Sequence, residues 1–142
     1  MRNILIISML LICNVSLWAQ GQKTTRELLM STNWEPQDTY NEGDCGYVKY
    51  TSTQDLYVEK IDNKIDRVYS NYYLSSSPDT VFDINKVGKN SMGIYIIRKG
   101  AGYVFISKIL ELTPTKLVVK NLTPGFTTTG KITVYLATNA NF

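Results

Sequence analysis

From Gly46 onward the chain runs as short segments of alternating apolar and polar residues, separated by clusters of Gly, Pro, Asn, Asp and Ser. Gly46 to Ser52 sets Val48 and Tyr50 against Tyr47, Lys49 and Thr51, and Asp55 to Ile61 sets Leu56 and Val58 against Tyr57 and Glu59. Asp62-Asn63-Lys64 reads as a tight turn into Ile65 to Leu74, which carries Val68, Tyr72 and Leu74 on one face. Ser75 to Pro78 breaks that run, Thr80 to Ile84 reads as another strand, and Lys86 to Ser91 as a hinge. Met92 to Lys99 leads through Gly100-Ala101-Gly102 into Tyr103 to Leu112, where Val104, Ile106, Leu110 and Leu112 share a face interrupted by Lys108. Thr113-Pro114-Thr115 turns into Lys116 to Leu122, a Thr/Gly-rich loop opens at Thr123-Pro124-Gly125, and Lys131 to Thr138 closes the series. A period of two with a turn signal roughly every ten residues predicts eight or nine short strands in an antiparallel sandwich or barrel. The many tyrosines and β-branched residues suit a pleated, half-buried surface.

The N-terminal part follows other periods. Thr24 or Thr25 is placed to cap one helical turn, Thr24 to Met30, with Leu28 and Leu29 on its inner side. Ser31 to Gln37 holds Trp34 and Pro36 and reads as extended, and Asp38 to Gly46 as a turn-rich loop. Ahead of these, Arg2, the apolar run Ile4 to Val15 and Ala19 have the layout of a cleaved export signal over residues 1–19. The run is too short for the ~20 apolar residues of a membrane-spanning helix. The expected working chain is residues 20–142 as a single domain, secreted or periplasmic, with no stable membrane anchor. Leu10-Leu11-Ile12-Cys13 departs from a lipidation signal, because bulky Ile12 stands where a small residue is required. Cys45 then has no internal disulfide partner and is expected to be buried, with pairing to another chain as the alternative.

Charge and residue chemistry narrow the function further. Removing Arg2 with the leader takes the net charge from +3 to +2, and the charges are interspersed, so no basic stripe offers itself to nucleic acid. Histidine is absent, which excludes Ser-His-Asp and Cys-His catalysis and the commonest metal ligand. Gly88-Lys89-Asn90-Ser91 lacks the upstream glycine and the hydroxyl after lysine that a phosphate-binding P-loop requires, and no helix pattern follows it. The carboxylate pairs Asp62/Asp66, Asp79/Asp83 and Glu42/Asp44 sit in turns or at strand ends, where solvated charge is the ordinary role. Asn121-Leu122-Thr123 matches the N-glycosylation pattern. No cofactor or metal is expected, and the chain is read as non-enzymatic.

The aromatics are the remaining signal. Trp34, Tyr50, Tyr72, Phe82, Tyr95, Phe105 and Tyr135 are spread over nearly all the strands. They either fill a core or line a cavity at one mouth, since an eight-stranded barrel is just wide enough for side chains or for one small ligand. Tyr50, Tyr72, Tyr95 and Phe105 are the candidate mouth-lining residues for a small apolar molecule. The alternative is a protein partner, as for an enzyme inhibitor, held by the loops Asp38–Cys45 and Phe126–Lys131.

Three stretches carry a family resemblance: Ser31-Thr32-Asn33-Trp34 after Leu28-Leu29, then Tyr73-Leu74 through Phe82–Lys89 to Gly93–Ile96, and Ile109–Asn121. In rhythm and short motifs the chain resembles the small secreted bacterial lipocalin-like (calycin-type) proteins. That resemblance implies an all-β fold, an eight-stranded antiparallel up-and-down barrel with a short N-terminal helix, and an apolar-ligand role. It carries Trp34 over as a packing residue at the closed end. Thr32 replaces the family's glycine two residues before Trp34, and no arginine follows Arg98 to cover that tryptophan from the last strand.

Overall fold

The computed structural model describes residues 22–37 and 39–142. The signal segment expected over residues 1–19, Cys13 and Asp38 lie outside them. A short helix α1 (Thr25–Met30) is followed by eight strands: β1 (Asn33–Pro36), β2 (Cys45–Tyr50), β3 (Gln54–Ile61), β4 (Lys64–Ser75), β5 (Tyr95–Gly100), β6 (Tyr103–Leu112), β7 (Lys116–Asn121) and β8 (Ile132–Thr138). Every strand pairs antiparallel with its chain neighbours, and β1 pairs with β8, which closes an up-and-down barrel. Closure leaves no bare sheet edge for another chain to extend.

Turn chemistry sets the hairpins. Ile61 pairs with Lys64 across Asp62 and Asn63, both at positive φ (49° and 63°), which is the twist that joins adjacent strands with two residues. Gly100 pairs with Tyr103 across Ala101 (φ 51°) and Gly102 (φ 81°) in the same manner. Alanine has no side-chain polar group to compensate that left-handed backbone. Ala101→Asn, which makes the turn Asn-Gly, is expected to raise stability by about 0.5–1 kcal/mol in urea denaturation.

One end of the barrel is shut. The Thr24 hydroxyl accepts from Glu27 N (3.2 Å) and the Glu27 carboxylate accepts from Thr24 N (2.7 Å), so the cap falls on Thr24 and starts the helix there. Leu29 on the inner side joins Trp34, Tyr72, Leu74, Ile96, Leu117 and Val119 in the interior core. The Trp34 indole N–H donates to Leu29 O at 2.8 Å and fastens the helix over this end. Arg26 donates to the carbonyls of Gly88 (2.8 Å) and Asn90. The Gly88–Ser91 corner thus turns carbonyl oxygens toward a guanidinium, the opposite polarity from a phosphate cradle.

The outside is covered too, and here the structure departs from the alternation pattern. Thr80–Ile84 forms no strand. A 3-10 turn at Ile84–Lys86 interrupts it, and Phe82 and Val87 lie over Tyr73, Ile97 and Ile106 on the outer face of β4–β6. Tyr73 and Phe82 stack at 5.2 Å, and Asp79 pins the segment by accepting from Lys86 Nζ (2.8 Å), Ser77 Oγ (2.7 Å) and Tyr73 Oη (3.0 Å). These donors hold the Asp79 carboxyl down at about 2, Lys86 first. On the other side, the C-terminal residues cross β1–β4: Ala140 O accepts from Asn33, Phe142 O from Arg67, and the Phe142 ring meets Tyr47 at 5.3 Å. Val58, between Tyr47 and Arg67 in the register, is completely buried on this outer face.

Leu56 and Val58 therefore point outward, and Asp55, Tyr57 and Glu59 point inward, the reverse of an apolar-in reading of β3. In β6 a bulge between Ile109 and Glu111 changes the parity, so Ile106 packs outside while Leu112 reaches the interior cluster.

Candidate functional site

The other end of the barrel is open. The β1–β2, β3–β4, β5–β6 and β7–β8 connections surround its mouth, and the interior side chains below them leave space. A cavity of about 360 Å³ is walled by Val48, Val68, Ala101 and Phe105, with Tyr57, Ser70, Arg98 and Tyr135 as its polar members. A side lobe of about 220 Å³ extends under β7 and β8 past Asn121, Thr128 and Thr133. Deeper lies a chamber of about 40 Å³ bounded by Tyr50, Ile96, Arg98, Ser107, Val119 and Tyr135. Arg98 and Tyr135 border all three, so they stand where the spaces meet.

Arg98 projects inward from β5 because it shares parity with Ile96, and its Nη1 donates to Asp55 Oδ2 at 2.9 Å. The Phe105 ring, its register partner, lies 5.1 Å from the guanidinium carbon. Asp55 is 1% exposed, and its Oδ1 has no hydrogen-bond partner among the described residues. Burial raises the Asp55 carboxyl, and Arg98 works against that rise. Burial acts most strongly on the Arg98 guanidinium and lowers it, but the Asp55 charge and hydrogen bond, with Tyr50 and Tyr135, together outweigh it and the net direction is upward. The guanidinium does not deprotonate in proteins, and its positive charge at 2.9 Å favours the ionised form of the carboxyl.

Neutral phenols surround this pair. Burial raises Tyr50 well above its ordinary range, and the Asp55 charge adds to it. Burial likewise raises Tyr135, and it pushes Tyr72 up to about 12. The Tyr72 hydroxyl donates to Thr51 O at 2.7 Å, whereas burial and charge rather than hydrogen bonds act on Tyr50 and Tyr135. All three remain protonated at neutral pH.

Nearer the mouth, Tyr40 enters from the β1–β2 loop and shares a 2.5 Å hydrogen bond with Tyr57, whose hydroxyl also donates to Glu59 Oε1 at 3.1 Å. Tyr40 lies on Gly46, where a Cβ would run into its hydroxyl and come within 2.8 Å of Val58 O. Gly46→Ala is expected to expel Tyr40 and cost about 1–3 kcal/mol in urea denaturation. On a Tyr40→Ala background the cost should shrink to the part set by the Val58 carbonyl, which a backbone shift would have to relieve.

The four candidate residues fall at different places. Phe105 lines the cavity and Tyr50 the deep chamber. Tyr72 packs below them in the floor, edge-on to Tyr50 at 5.3 Å. Tyr95 is on the opposite face, packed against the outer cluster with Lys108 Nζ 6.0 Å from its ring. Tyr135 belongs to the aromatics that the sequence singles out, though not to the four mouth-lining candidates, and Arg98, Asp55 and Tyr57 have no such role in the sequence pattern. The available signal was a charge at Arg98 in the inward series Ile96, Arg98, Gly100.

The remaining sequence features lie elsewhere or are otherwise engaged. The carboxylates of Asp62/Asp66, Asp79/Asp83 and Glu42/Asp44 do not border the cavity. Asn121 borders the side lobe, and its amide donates to Thr128 Oγ1 (2.9 Å) and accepts from Thr123 N (2.9 Å). Cys45 is a half-buried free thiol. Among the described residues no group of three Cys, Asp or Glu is arranged to hold a metal, and no helix is long and apolar enough to cross a membrane.

The fold and site together define a class: a closed eight-stranded up-and-down barrel, shut at one end and hollow at the other, with an ion pair in its floor. No protein-family model, curated protein or solved structure matches the chain.

Proposed function

We propose that this chain is a lipocalin-like, non-enzymatic binding protein, secreted or periplasmic, that holds a small, largely apolar molecule in the open end of its barrel. The observation that supports this most is the cavity of about 360 Å³ with Val48, Val68 and Phe105 as its walls. Spaces of this size and lining are the usual form of small-molecule sites. A guest that loses ~200 Å² of apolar surface there gains about 5 kcal/mol gross at 25 cal/mol/Å², before ordering costs. Export rests on the signal-like pattern of residues 1–19.

The test is titration with N-phenyl-1-naphthylamine, an uncharged apolar probe that brightens on leaving water. Val68 is 55% exposed at the mouth, so Val68→Trp obstructs the cavity without invading a packed core. Blue-shifted, saturable emission that weakens at least tenfold in Val68→Trp is the expected result. Equal probe affinity in the two proteins sinks the reading.

A second reading, capture of a protein partner by the rim, is favoured by one observation. Tyr103 (58% exposed) and Phe126 (36%) stack at 5.4 Å beside the mouth, outside the apolar walls. Native mass spectrometry of protein purified from its own compartment separates the two, by a retained small molecule or a retained chain.

A further inference from the structure

The cavity floor carries information about the head group of a guest. Its cation among the described residues, Arg98, is already met by Asp55 at 2.9 Å, and Asp55 is 1% exposed, so that carboxylate cannot swing out into water to make room. One charge of each sign lies nearer the mouth. Glu59 accepts from the Tyr57 hydroxyl, and Lys131 borders the side lobe. Around the deep chamber, Arg98 is joined by the hydroxyls of Tyr50, Tyr135 and Ser107. These are donors in a space that bears no net charge.

An anionic head would enter such a floor at a disadvantage. It must leave water and stand across one guanidinium from a second carboxylate, in a region where like charges interact more strongly than in solution. An uncharged oxygen acceptor meets the same donors without that repulsion and with a smaller desolvation penalty. We infer that the barrel selects guests with an apolar body and an uncharged acceptor head, of the carbonyl or amide kind, over the corresponding carboxylates, because the Arg98–Asp55 pair supplies donors without net charge. This rests on the cavity being a ligand site, as proposed above.

The experiment compares decanamide with decanoate at neutral pH, each displacing bound N-phenyl-1-naphthylamine from the full chain. Decanamide is expected to displace the probe at a concentration about tenfold lower or less, a margin equal to roughly 1.4 kcal/mol. Asp55→Asn keeps the shape of the side chain but leaves Arg98 with an unbalanced charge, and the preference should move at least tenfold toward decanoate. Equal or tighter binding of decanoate by the unaltered protein overturns the inference and leaves the ligand site intact, as does displacement by neither molecule while the probe is bound. An unchanged preference in Asp55→Asn overturns the role given to the ion pair. If the probe itself fails to discriminate the unaltered protein from Val68→Trp, the site reading falls, and the head-group inference with it.

Discussion

Arg98→Met is expected to lower the stability of the barrel by about 3–5 kcal/mol, among the largest effects of any single change in this chain. Asp55 is 1% exposed, and among the described residues Arg98 is its one charge-bearing partner, at 2.9 Å. Removing the guanidinium strands a carboxylate that already has one oxygen without a partner. Asp55→Asn together with Arg98→Met should recover most of the loss, because the stranded charge goes with its partner. The pair is thus more costly to break than to replace.

The same argument gives a pH dependence with a definite sign. Burial raises Asp55 above the ordinary 3.8 even with Arg98 opposing it, and Arg98→Met removes that opposition. A carboxyl whose pKa is higher in the folded state binds its proton there more readily, so stability declines as pH rises through the interval above 3.8. The deficit of Arg98→Met should therefore be smallest in acid and reach its full size above the raised folded-state pKa. Urea titrations at several pH values measure this, and a deficit that grows toward acid would refute the assignment.

Trp34→Ala is the second large effect, expected at about 3–5 kcal/mol. The indole is wholly buried among Leu29, Leu74 and Leu117, and its N–H serves Leu29 O at the end of the six-residue helix. Six residues are too few to hold a helix by local bonds alone. Losing the indole should loosen α1 as well as open a cavity. Trp34→Phe fills most of the volume and loses the hydrogen bond, for about 1–2 kcal/mol. Amide exchange across Arg26–Met30 should accelerate in both variants. Protection left intact in Trp34→Ala would mean that Arg26, through Gly88 and Asn90, holds the helix unaided.

Two features of the barrel set it apart from a simple apolar-in alternation: a covering on both sides of the sheet and a bulge in β6. The alternation in β3 is real, but Leu56 and Val58 are the outer set and Asp55, Tyr57 and Glu59 the inner. An apolar stripe marks the side that avoids water, and in this barrel parts of both sides do. Phe82 and Val87 bury the outer face of β4–β6, and the Phe142 end buries that of β2 and β3. The same double covering took Phe82 out of an expected strand and put Tyr95 outside the cavity. In β6 the bulge after Ile109 reversed the alternation partway along, which a fixed period cannot register.

The chain's own pattern determined the strands, most of their limits and the turns between them, because turn residues and a period of two are local properties. Asn63 and Gly102 mark hairpins wherever they stand. It also placed a helical turn capped at Thr24 or Thr25, and the structure puts the cap on Thr24 with Glu27 as its partner. Only the closed barrel decided which alternate residues face one another across it. Asp55 and Arg98 are 43 residues apart in sequence and meet at 2.9 Å because β3 and β5 flank β4 and both side chains point into the barrel. That meeting sets the charge of the floor, and the size of the space above it follows from how far the side chains of eight strands reach, a sum that no short stretch contains.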